Sequence, residues 1–220
     1  MKIQSKSVVD HTLKYLEDLI VKAKLRPGQR IKEQEISSRL GISRPPVREA
    51  FKILETEGLI KREPRRGVFV SEVTKNDIWE IYTLKIALYT LAVTLAIDRI
   101  SDNDIEKLEK IVVQMEMIVN DDTSPDIIKY EELNNLFHET TTIIAGHGRL
   151  KKIVQSLNNQ IKRVSYRSFT KEGHLKSSCR YHRQILEAIK ARDKLLAERL
   201  TKEHIVKGLE VQKELDEEQF

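Results

Sequence analysis

Two histidines near the C-terminal end carry spacing with chemical meaning. His182 lies about ten residues before the turn at Ala191-Arg192-Asp193 and His204 about eleven after it, so an antiparallel helix hairpin brings them to the same height. Each falls on an apolar stripe, His182 with Ile185, Leu186 and Ile189, His204 with Leu196 and Leu200. On a third segment Asn134 and His138, an i, i+4 pair, share a helix face with Glu131 and Thr141. Three neutral imidazoles and a side-chain oxygen suit Zn²⁺, Ni²⁺, Mn²⁺ or a similar divalent ion with positions left open for water or a small ligand. Spacing alone also admits core histidines satisfied by hydrogen bonds, and that is the commoner arrangement.

A second constellation is cationic. Arg44 and Arg48 are four residues apart and face the same way from the start of one helix, where guanidinium forks suit guanine O6/N7 or phosphates. Ser43 and the amides beside it suit a phosphate. Arg65, Arg66 and Gly67 form a basic turn suited to a narrow minor groove, arginine for its negative potential and glycine for close backbone approach.

Composition says which elements must carry these groups. The chain has 220 residues with 40% hydrophobic, 33% charged and 5% aromatic residues, few Gly and Pro, and a net charge of +5, which favours a mainly α fold. Residues 1–73 hold 16 Lys+Arg against 10 Asp+Glu, whereas residues 74–220 hold 23 against 24. The basic end, which also holds four of the five prolines, is what a polyanion-binding domain needs, and the division implies domains at 1–73 and 74–220.

In the first domain helices are expected at 8–23, 33–40 and from Ser43, as N-cap, to a stop at Gly58. Strand-like runs at 59–62 and 68–71 flank the Glu63 to Gly67 turn. Helices two and three, joined by Gly41-Ile42-Ser43, read as a helix-turn-helix, and the hairpin makes it winged, with the third helix for the major groove. Six helices are expected afterwards, at 75–98, with Thr74 as its cap, 102–119, 125–145, 149–168, 174–190 and 193–213, separated by polar turns including 121–125. Together they make an all-α helical-bundle domain.

The strings Arg26-Pro-Gly-Gln-Arg-Ile-Lys-Glu-Gln-Glu-Ile, Leu40-Gly-Ile-Ser-Arg-Pro-Pro-Val-Arg-Glu-Ala, Leu54-Glu-Thr-Glu-Gly-Leu-Ile and Arg66-Gly-Val-Phe-Val resemble the N-terminal domain of GntR-type bacterial transcription regulators. The remainder is similar to the helical FCD effector domain of the FadR branch, in its six-helix, VanR-like form. The resemblance implies that Arg44 and Arg48 read bases or phosphates and that Gly67 enters the minor groove. It further implies a divalent metal held by Asn134, His138, preceded by Phe137, His182 and His204, with Asn134 standing where Asp is usual. A homodimer on double-stranded, palindromic operator DNA and a small organic-acid effector follow from it. Further positions depart from the family pattern: Gln34, where some members have a DNA-contacting Arg, Lys85 and Tyr89, where Arg and Glu are common, and His147, where Asn is common. Lys85 is thus the residue expected to meet an effector carboxylate, as a point charge and not a fork.

Other histidines offer less. His147 reads as structural or exposed, and His11 and His174 have no evident partners; Cys179, one turn before His182, reads as a buried filler. An enzyme is not expected: His138-Glu139 begins like a zinc-protease helix, but Thr142 replaces the second histidine, and no phosphate loop or nucleophile elbow occurs. The apolar run 81–97, interrupted by Lys85, reads as a core helix and not a membrane span, and one cysteine with no export signal suits a reducing cytoplasm.

Overall fold

A computed structural model of the chain describes residues 7–120 and 125–217, so the turn expected at 121–125 lies, up to residue 124, outside the described residues. It divides into two compact units, Met1–Thr74 and Lys75–Phe220.

In the first unit, Ser7 and Asp10 form a reciprocal capping box that starts α1 (Val8–Val21). The helix stops two residues short of the expected end, because Ala23 turns to a φ of 52°. Helix α2 (Glu33–Leu40) ends on Gly41, whose φ of 65° a side chain rarely adopts, and that residue admits the sharp turn into α3 (Arg44–Thr56). Leu16, Val47, Ala50, Phe51 and Leu54, all fully buried, join these helices into one core, each large apolar side chain contributing about 1.5–3 kcal/mol by leaving water.

The wing is larger than the sequence indicates. Strands β2 (Ile60–Glu63) and β3 (Gly67–Val70) form the expected hairpin, each offset by one residue from its expected span, but β1 (Arg30–Ile31) adds a third, antiparallel strand against β3. Two residues are too few for an alternating pattern, which is why β1 escapes sequence reading. Arg30 pairs with Phe69 and Ile31 with Val68.

The second unit consists, among the described residues, of α4 (Lys75–Ile97), α5 (Asp102–Val119), α6 (Ile127–Ile144), α7 (Gly148–Phe169), α8 (His174–Lys190) and α9 (Lys194–Glu217). Helix α4 is long and apolar enough to cross a membrane by length and composition, yet it packs against α9, α6 and α7 and buries Ile78, Tyr82, Tyr89, Val93 and Ile97. Gly208 of α9 permits its closest approach: a Cβ there would meet Tyr82 Cε1 at 3.0 Å. Arg192, in the α8–α9 turn, donates to the carbonyls of Ile97 and Ile100 at 2.7 and 3.1 Å, satisfying the end of α4.

Helix α8 is fastened to α5 by charge. Arg183 donates from Nε and Nη2 to both oxygens of Glu116 (2.8 Å each) and from Nη1 to Glu109 (2.6 Å), while Lys190 bridges Glu109 and Glu187. Replacing Arg183 by Met takes from Glu116 the guanidinium it bonds and leaves Glu109 and Glu187 to Lys190, and urea unfolding should show a loss of about 1–2 kcal/mol that shrinks in molar salt.

Candidate nucleic-acid interface and metal centre

Helix α3 places Ser43, Arg44 and Arg48 on an exposed surface. Ser43 takes the N-cap backbone conformation, but its hydroxyl makes no capping bond. Pro45 and Pro46 occupy the first turn and have no N–H, so any phosphate there meets the Ser43 hydroxyl and fewer amides than the sequence position suggests. Arg48 reaches back to α2, where Glu33 accepts from its Nε at 3.3 Å and its Nη2 at 3.1 Å. That partner, fifteen residues away, lies beyond any helical periodicity.

At the hairpin tip Arg65 adopts a φ of 63° and is exposed. Arg66 pairs with Glu63 at 2.5 Å and lies 5.6 Å from the Phe69 ring centre, so the two tip arginines are not equivalent. Gly67, at φ 114°, lies under the Arg30 side chain, and a Cβ there would come within 2.9 Å of Arg30 Nε. Arg30 can move aside, so it is the backbone conformation at Gly67 that favours glycine here, besides its fit to a groove. Arg30 itself was not singled out from sequence.

The second unit brings three helices to one point. His138 of α6, His182 of α8 and His204 of α9 offer ring nitrogens that all lie within 4.8 Å of one another, and all three side chains are buried. Ring centres are 4.5 Å apart for His182 and His204, as the hairpin register predicts, and 5.2 and 5.7 Å from His138 to each. Tyr89 stacks parallel on His138 at 4.4 Å and Phe137 meets His182 edge-on at 4.9 Å, fixing both rings. His182 Nδ1 lies 2.8 Å from the Ser178 carbonyl; it therefore carries the proton and leaves Nε2 as a bare acceptor. That Nε2 and His204 Nδ1 are buried without a hydrogen-bond partner among the described residues. Asn134 is buried one turn before His138 on the same helix.

Burial holds these rings neutral. Desolvation drives His138 and His204 well below the usual imidazole range and His182 down to about 4, with neighbouring cationic groups adding to it. Neutral imidazoles with unsatisfied lone pairs at a shared centre are a donor set for a divalent ion, and the residues fit one.

Lys85 is also buried, on α4, donating to Ser165 Oγ at 3.0 Å and lying 4.6 Å from the Tyr82 ring centre. Desolvation lowers its pKa from 10.5 to about 8, partly offset by the Glu131 carboxylate. Glu131, buried on α6, acts on Lys85 of α4 through space; the sequence shows that Glu131 shares the His138 face but not this relation between two helices. His174, for which the sequence offers no partner, is buried and stacks on Phe169 at 5.6 Å, with its pKa pushed by desolvation to about 4. Burial raises the Cys179 thiol to about 11, as befits a filler and not a thiolate ligand. His147 is the exposed N-cap of α7, its Nδ1 accepting from the Leu150 amide at 3.2 Å.

A winged helix-turn-helix joined in sequence to a six-helix unit with a buried histidine triad defines a class of regulator, and comparison with known proteins agrees. Residues 9–70 match bacterial regulatory proteins of the gntR family and residues 80–207 match the FCD domain. The chain is 32% identical to the uncharacterized HTH-type transcriptional regulator YdhC of Bacillus subtilis, over 87% of this chain and 83% of that protein. It is 28% identical to the HTH-type transcriptional repressor RspR of Escherichia coli, over 84% and 80%. Its fold is similar to that of E. coli McbR/YncC, with a TM-score of 0.82 at 21% identity over 96% of this chain and 99% of that one.

The chain belongs to the GntR family of DNA-binding transcription regulators, in the branch that carries an FCD domain. It is a regulator and not an enzyme.

Proposed function

We propose that this regulator acts in the cytoplasm as a homodimer on a palindromic operator, and that a small organic acid seated at a divalent metal in the FCD domain sets its affinity for DNA. Ser43, Arg44 and Arg48 would meet the major groove and its phosphates, and Arg65, Arg66 and Gly67 the minor groove. Asn134, His138, His182 and His204 would hold the ion, which when bound supplies a Lewis-acidic anchor for a carboxylate oxygen. Ser178 orients His182 toward it, and Lys85 would complement the acid's charge. Dimerisation is supported by the outward face of α4, where Leu84 and Leu91 remain exposed.

The observation that carries this reading is the pair of buried, unpartnered nitrogens, His182 Nε2 and His204 Nδ1, facing a third imidazole. Elemental analysis of untagged protein purified without chelator tests it, with about one metal per chain expected. Metal absent even after reloading with Zn²⁺, Ni²⁺ and Mn²⁺ in turn would return the three histidines to the core.

One observation favours a second reading, in which the metal is itself the signal. The cavity beside His138, lined by Tyr89, Thr141, Ile185 and Thr201 among others, has a volume of only about 10 Å³, room for about one water. Operator release by metal alone, with no organic acid, would establish that reading.

A further inference from the structure

The Glu33–Arg48 contact joins the two helices of the helix-turn-helix, and its geometry divides the guanidinium into two edges. A guanidinium carries five N–H groups in one plane, one on Nε and two on each Nη. Glu33 takes the Nε edge, accepting from Nε at 3.3 Å and from Nη2 at 3.1 Å. The remaining donors, on Nη1 and the outer side of Nη2, form the terminal edge of the fork. The carboxylate is the more enclosed partner, with a side chain 23% exposed against 56% for arginine, so the anchored edge lies toward the protein and the terminal edge toward solvent.

Resting on the proposal that Arg48 meets the major groove, we infer that Glu33 is a positioning residue for sequence reading: it orients the plane of Arg48 so that the terminal edge is the one offered to a guanine. A free arginine visits many rotamers and accepts phosphates and bases in several orientations. One held on its Nε edge has a single orientation left, and a bidentate contact to guanine O6/N7 requires a defined plane. Glu33 therefore adds discrimination without touching DNA, and its negative charge opposes loose attraction of Arg48 to the backbone.

The test is selection of bound duplexes from a randomised pool by the full-length chain, in wild type and in Glu33→Gln, Arg48→Ala and Arg48→Lys, with thermal unfolding of each as the check on folding. Wild type should enrich a guanine at one position of each half-site. Arg48→Ala should erase that preference, and Glu33→Gln should weaken it at the same position by at least about fivefold while non-specific affinity stays equal or rises. Arg48→Lys keeps an ion pair with Glu33 but replaces the planar fork by a rotatable ammonium, so it should preserve stability and weaken the guanine preference. If Glu33→Gln leaves the Arg48-dependent position intact, or if Arg48→Lys keeps the guanine preference undiminished, the ion pair merely ties α2 to α3 and the inference is overturned. An Arg48→Ala variant with an unchanged motif overturns it as well.

Discussion

Loading the purified protein with Zn²⁺ should raise its melting temperature, and the double substitution His182→Ala/His204→Ala should abolish that rise. An ion that binds only the folded chain stabilises it by RT ln(1 + [L]/Kd), about 4 kcal/mol at a thousandfold excess over Kd, or roughly 8–16 °C for a domain of this size. The effect should be large because the donors are assembled beforehand. Phe137 and Tyr89 hold two of the rings, the Ser178 carbonyl fixes one tautomer, and burial has already removed the competing protons. Metal-free protein carries the corresponding cost, two buried imidazole nitrogens with no hydrogen-bond partner among the described residues. Calorimetry with and without Zn²⁺ reads the difference directly. An equal rise in the double variant would place the ion elsewhere.

The second large effect joins stability to response. The Lys85 ammonium costs the fold about 3 kcal/mol at neutral pH, because its pKa is about 8 inside the helical unit and 10.5 outside it. Between those values the unfolded chain holds the extra proton, so this group makes stability rise with pH from about 8 to 10.5, and its penalty is complete below 8. Lys85 is a cation acting on the buried Glu131 carboxylate, so the two are replaced together. Replacing both, as Lys85→Met/Glu131→Gln, should stabilise the protein at pH 7 by about 1–3 kcal/mol and remove the alkaline rise. The same variant should no longer release operator DNA in response to a panel of short mono-, di- and tricarboxylates that act on the wild type. Chemical denaturation at pH 7 and pH 10, together with a DNA-release titration, checks both halves. A stabilised variant with an intact response would remove Lys85 from the effector site.

The parts of this molecule that can be read from sequence are those governed by local rules. Gly41 and the prolines after Ser43 mark the helix-turn-helix because they act on their own backbone, and the register of His182 against His204 follows from counting outward from one turn. The parts that escape are set by distance in the chain. Lys85 finds Ser165 eighty residues away, and Arg48 finds a carboxylate on another helix. His138 lies between these cases: its helix face is evident, but convergence with the other two rings depends on how α6 crosses the hairpin, which only the family resemblance supplied. Strand β1 escapes for a different reason, since its pairing with β3, not its two residues, makes it a strand.

Helix α8 carries His182 and Arg183 as adjacent residues turned to opposite duties, one toward the shared centre of imidazoles and the other into the carboxylates of α5. A helix is stiff along its axis, so neither side chain can be displaced by much without the other. An ion seated among the imidazoles would therefore act on a helix whose next residue is tied to two carboxylates of α5, so any shift it imposed on α8 would be felt first in the Arg183 contacts with Glu109 and Glu116.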